Sequence, residues 1–132
     1  MAPAKYTSPA YYDNLIRTMP AGLERAVVQI LKNHIGKENA LHLDQLAIFL
    51  IDLGFHAEKR QIRIAIRNLR REQWLIGALP SEGYYIISSK AEFNEFVDKE
   101  FKPKITDMAE TLRIMRNSAN ERFGEAIQGA LL

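Results

Sequence analysis

The sequence predicts a mainly helical protein with one small β-hairpin, an α+β fold, on three observations. Apolar residues recur at intervals of three and four through most of the 132 residues, the period of half-buried helices. Two short aromatic and β-branched runs, Trp74–Leu79 and Tyr84–Ile87, flank Pro80-Ser81-Glu82-Gly83, whose residues suit a tight turn. A hydrophobic content of 47% over this length supplies one ordinary core.

Each element has its own signal. Pro3, Pro9 and Pro20 stand near the start with Tyr6, Tyr11 and Tyr12, so residues 1–19 read as an irregular arm with one helical turn around Tyr12–Ile16. Pro20 sits where a helix can begin. Leu23, Ala26, Val27, Ile30, Leu31 and Ile35 then form one helical stripe, closed by Gly36. Leu41-His42-Leu43 alternates like a short extended segment, and Asp44 favours the start of a second helix through Leu46, Ala47, Phe49, Leu50 and Leu53, which Gly54 stops. A third helix, about Glu58 to Gln73, buries Ile62, Ala65, Ile66 and Leu69. The hairpin follows and completes a domain over 20–88.

Ser89-Lys90-Ala91-Glu92 is a capping-box pattern that opens a helical segment over 89–123. Within it Phe101, Ile105, Met108, Leu112, Met115 and Ala119 alternate fours and threes, nearly three heptads. Pro103 implies a kink or two helices in sequence, and residues 124–132 are expected to fray. The heptad stripe points to a homodimer through Phe101, Ile105, Met108, Leu112 and Met115; the alternative is that this segment folds back to cap the domain. Phe93, Phe96 and Val97, next to the hairpin, suit the capping role.

Composition excludes several functions. With no cysteine there is no disulfide, thiolate zinc ligand or thiol nucleophile. No apolar run approaches a membrane span, and Met1–Tyr12 lacks the apolar centre and cleavage pattern of a signal peptide, so a cytoplasmic protein without a membrane partner is expected. His34, His42 and His56 occur without metal-ligand spacing, and the glycines are too dispersed for a phosphate loop. No catalytic residue, metal or cofactor is expected, and the protein is read as a non-enzyme.

Charge is the informative quantity. The formal net charge is +2, but Lys59, Arg60, Arg63, Arg67, Arg70 and Arg71 against Glu58 and Glu72 give Ala57–Glu72 a charge of +4, leaving −2 for all the rest. At about 100° per residue, with Ile62 at zero, Ile66 and Leu69 fall beside it while the arginines spread over an arc of about 80° to 180°. The third helix thus separates a buried stripe from a cationic face. Arginine presents forked donors that match guanine edges and phosphates. Arg60, Arg63 and Arg67 are the expected groove contacts, Lys59, Arg70 and Arg71 the contacts nearer the backbone, with Gln61 and Asn68 as further polar candidates. Ile64, at about 200°, suits either a thymine methyl or a protein interface.

The order helix, short strand, helix, helix, hairpin, with the phrase Arg60-Gln61-Ile62-Arg63-Ile64-Ala65-Ile66-Arg67-Asn68-Leu69-Arg70-Arg71-Glu72 and then Gly83-Tyr84-Tyr85, resembles the winged helix-turn-helix of small bacterial and phage proteins. The resemblance covers about half the chain. It implies double-stranded DNA as partner, a recognition helix at Glu58–Gln73 and a role in transcription control or in a phage or plasmid function such as replication. Two features depart from the pattern. Gly54 lies eight residues before Ile62, where the simplest helix-turn-helix has six, and the wing tip carries Glu82 without a lysine or arginine. A contact dominated by the helix is therefore expected. The rival expectation is a protein–protein scaffold that does not bind DNA, with the basic helix docking on an acidic partner.

Overall fold

The computed structural model describes residues 7–80 and 83–124. The expected turn tip, Ser81 and Glu82, the start of the arm at 1–6 and the tail beyond Gly124 lie outside the described residues. The chain divides into two units, Met1–Phe96 and Val97–Leu132.

The first unit is mainly helical with a two-stranded antiparallel sheet: α1 (Pro9–Arg17), α2 (Leu23–Leu31), a 3-10 turn (Lys37–Asn39), α3 (Leu43–Asp52), α4 (Lys59–Arg71), β1 (Ile76–Leu79), β2 (Gly83–Ile86) and α5 (Lys90–Phe96). The nine-residue α1 is longer than the single turn expected of the arm. The Ser8 hydroxyl accepts the Ala10 N–H, Pro9 occupies the first turn, and Tyr12 and Ile16 lie four apart on the buried face. Capping and packing thus outweigh a composition that reads as irregular.

α2 buries Ala26, Val27, Val28 and Leu31 and ends short of the expected Ile35. The reason lies in the sheet. Ile35 bridges Ile86 in parallel, with the Gly36 N–H donating to the Ile86 carbonyl at 2.8 Å and the Ile86 N–H to the His34 carbonyl at 2.9 Å. Leu41, in the expected extended segment, exchanges two hydrogen bonds with Tyr84 at 2.7 and 2.9 Å. β2 is therefore held on one side by β1 and on the other by these two bridges. Gly83 is required here: its φ is +88°, and a Cβ would stand 2.4 Å from the Leu41 carbonyl oxygen.

Two helix ends fix the turns around α4. After α3, Phe55 N–H donates to Leu50 O and Gly54 N–H to Ile51 O, both at 2.9 Å, with Gly54 at φ +90°. After α4, Trp74 N–H donates to Leu69 O at 3.0 Å and Gln73 N–H to Arg70 O at 3.2 Å, with Gln73 at φ 78°. Both are Schellman closures, one with glycine and one with glutamine at the left-handed position.

The core is built from the buried faces of these helices. Val27, Val28, Leu31, Leu46, Leu50, Ile62, Ile66, Leu69, Ile76 and Ile86 are almost wholly buried, and Ala65 joins them, so the four apolar positions read from α4 all face inward. Alternation along β2 sends Ile86 into this core and Tyr85 to the opposite face, where Tyr85, Ile87 and Phe96 form a second cluster. Tyr85 lies over its cross-strand neighbour Gly77, where a Cβ would be 2.5 Å from the ring. α5 is tied down at its start. Glu92 N–H donates to the Ser89 hydroxyl at 3.2 Å, as the capping-box pattern implies, while the Glu92 carboxylate accepts from Ser88 N–H and from Lys37 N–H, both at 2.8 Å.

The second unit begins with a π-helical turn, Val97–Phe101, followed by α6 (Lys102–Phe123), with Pro103 in the first turn of α6. Of the two expectations for Pro103, helices in sequence are found, because a proline is accommodated at a helix start but not in its interior. No residue of α6 is buried.

Candidate nucleic-acid interface

α4 is positioned by burial on one side and by fixed ends. Ile62, Ala65, Ile66 and Leu69 set its rotation; Gln61 Oε1 accepts the Glu58 N–H at 2.8 Å at the start, and the Schellman closure sets the exit. The cationic face consequently points away from the core.

The eight predicted site residues divide into three groups. Arg60, Arg63, Arg67 and Arg71 are exposed and make no ion pair within the described residues. Their spacing of three, four and four places them on one stripe, about 16 Å long at about 1.5 Å per residue. Gln61 and Asn68 lie on one flank. Gln61 caps its own helix, and Asn68 donates to Glu24 Oε2 at 3.2 Å, tying α4 to α2. Lys59 and Arg70 lie towards the other flank and are committed elsewhere.

Lys59 Nζ is 2.6 Å from Asp44 Oδ1 of α3. The hydrogen bond from Lys59, reinforced by its charge, holds the Asp44 carboxyl below its ordinary value. Arg70 corrects the sequence expectation. It was placed among the cations near the DNA backbone, but its Nε donates to the Ile76 carbonyl at 2.8 Å and its guanidinium lies 5.1 Å from the centre of the Phe96 ring. At about 80° from Ile62 it borders the buried stripe, where β1 leaves α4, and the unpaired strand carbonyl and the aromatic ring hold it there.

Ile64 is 37% exposed and lines, with Gln61, Asn68, Leu23 and Arg25, an open groove of about 490 Å³ between α4 and the start of α2. Arg25 is the cation that sequence reasoning passed over. Its only signal is its place two residues into a helix whose own stripe was read for the core. α3 and its C-cap show another unforeseen feature: Ile48, Phe49, Ile51 and Leu53 are all exposed.

The residues read as a dimer seam, Phe101, Ile105, Met108, Leu112 and Met115, are all exposed, from 40% at Leu112 to 71% at Met108. Among the described residues no group of three or more His, Asp or Glu is placed to hold a metal ion, and no helix is long and apolar enough to cross a membrane. His34 Nδ1 lies 2.8 Å from the Asn39 carbonyl, a loop contact. Comparison with protein-family models, with curated proteins and with solved structures finds nothing that matches this chain.

Proposed function

We propose that this protein binds double-stranded DNA as a winged helix, with α4 as the recognition helix and β1–β2 as the wing, in transcription control or in a phage or plasmid function such as replication. One observation carries the reading: four exposed arginines, with no ion pair among the described residues, form a single outward stripe on a helix whose opposite face is buried. The order α2, bridge, α3, α4, β1, β2 supports it, because a helix presented in this way fits a major groove about 12 Å wide. Arg60, Arg63 and Arg67 reach for base edges and phosphates, and Arg71 for the backbone. Arg25 extends the cationic surface across the groove at Ile64. The protein acts as a homodimer through α6, which gives two recognition helices for a two-fold site.

The test is a gel-shift and anisotropy series on mixed-sequence duplex at several salt concentrations. Arg63→Ala and Arg67→Ala are each expected to weaken binding about tenfold, while Lys90→Ala, remote from α4, leaves it unchanged. Normal binding by both arginine variants would overturn the recognition-helix assignment.

A second reading, a protein-docking scaffold, is favoured by the exposed Ile48, Phe49 and Ile51 of α3 and Leu53 at its end, because clustered apolar surface marks interaction sites. Failure to bind duplex at micromolar protein and low salt would select it.

A further inference from the structure

One apolar side chain, Ile64, stands in the outward row of α4. Ile62, Ala65, Ile66 and Leu69 form the buried stripe, and with Ile62 at zero Arg60, Ile64, Arg67 and Arg71 lie opposite it, at about 140° to 200°. Ile64 follows Arg60 by four residues and precedes Arg67 by three, so both arginines are its neighbours on the helix surface. At 37% exposed it is not a core residue. Any partner lying over this row meets an isoleucine framed by guanidinium groups, and matches it only by carrying negative charge around an apolar group.

We propose that Ile64 is a specificity-determining residue of α4 and takes the C5 methyl group of a thymine in the major groove. The proposal rests on the DNA reading above and adds a base to it. Among the groups that base pairs present in the major groove, the thymine methyl is the apolar one, set among hydrogen-bonding atoms and walled by phosphates. An apolar side chain there distinguishes thymine from the other bases, whereas contacts from the arginines to phosphate carry no sequence information.

The surroundings of Ile64 prepare it for that contact. A helical isoleucine keeps one strongly preferred rotamer, so little side-chain freedom is lost on binding. Leu23 and Ala65 line the same groove as Ile64. The two polar side chains beside it are already engaged: Gln61 Oε1 accepts the Glu58 N–H at 2.8 Å, and Asn68 Nδ2 donates to Glu24 Oε2 at 3.2 Å. Turning either amide towards a base breaks a bond within the fold, and Ile64 makes its contact without breaking one.

The test uses the full chain to select bound sequences from duplexes with a randomised centre. The selected duplex is then remade with deoxyuridine in place of each thymine in turn, which removes the methyl and leaves pairing and phosphates unchanged. One thymine, or its symmetric pair in a two-fold site, should prove sensitive, with affinity falling about fourfold for each methyl lost. Ile64→Ala, with a thermal midpoint near that of the unmodified chain, should bind the thymine and deoxyuridine forms equally well. Arg63→Ala should weaken both forms and preserve the ratio between them. Absence of a deoxyuridine effect in the unmodified chain, its persistence in Ile64→Ala, or a bound pool without sequence preference would overturn this inference and leave duplex binding standing. Failure to bind duplex of any sequence overturns the DNA reading beneath it.

Discussion

Arg70 and Arg71 are neighbours in sequence with opposite fates. Arg70 is spent within the fold, on the Ile76 carbonyl and the Phe96 ring, while Arg71 is exposed and makes no ion pair within the described residues. Arg70→Ala is therefore expected to lower unfolding free energy by about 1–3 kcal/mol, from the lost hydrogen bond, the lost cation–π contact and the carbonyl left without its donor. Arg71→Ala should leave stability within about 0.5 kcal/mol and weaken duplex binding. Urea unfolding followed by Trp74 fluorescence measures the first effect, and Trp74 reports on the core because Tyr12 lies 5.7 Å from it. Equal stability losses in the two variants would contradict the division. The wheel projection placed both arginines on one arc, and periodicity gives angle only. It carries no information on whether a carbonyl and an aromatic ring wait at that angle, so the fate of Arg70 was not legible in sequence.

Among elements, α4 was the most legible, since burying Ile62, Ala65, Ile66 and Leu69 satisfies propensity, periodicity and capping together. The misreadings occurred where a long-range contact overrides a local pattern. Ile35 continues the α2 stripe in sequence but pairs with Ile86, about fifty residues away. The pairing of α3 with α4 through Asp44 and Lys59, on neighbouring helices, also lies beyond a single helix pattern, and it sets a condition on the interface. The lowered Asp44 value means that the pair contributes above the ordinary aspartate value of 3.8 and is lost only as pH falls through the depressed one. Between about pH 6 and 8 Asp44 is therefore ionised and paired with Lys59. Asp44→Asn should release that charge, tightening duplex binding about two- to threefold and steepening the salt dependence by about one counterion, with little change in the thermal midpoint. Unchanged salt dependence in this variant would show that Lys59 lies outside the footprint.

For the whole molecule, a net charge of +2 conceals the polarity that matters. After Lys59 and Arg70 are withdrawn, four arginines of α4 remain to meet phosphates or bases. Neutralising about four phosphates per copy gives a slope of log affinity against log salt of about −3.6 for one copy and about −7 for the dimer on a two-fold site. A slope beyond about −9 for the dimer would require cations outside α4, with Arg25 the first to examine. The helical class and the hairpin were readable because each rests on local pattern. The α3 surface was not: Phe49 and Leu53 were read with Leu46, Ala47 and Leu50 along this helix, and only the packed fold leaves them exposed beside Ile48 and Ile51.

The central position of β2 determines how the first unit comes apart. Its amides are locked on one side to a neighbouring strand and on the other to residues 34–41, from which the chain returns only through α3, α4 and β1. Fraying of the hairpin end leaves the bond from Ile86 N–H to His34 O intact, because that bond breaks only when the sheet separates from the end of α2. Exchange of the Ile86 amide with deuterium is therefore expected to be slower than that of amides at the hairpin end, which a hydrogen-exchange measurement at these positions checks.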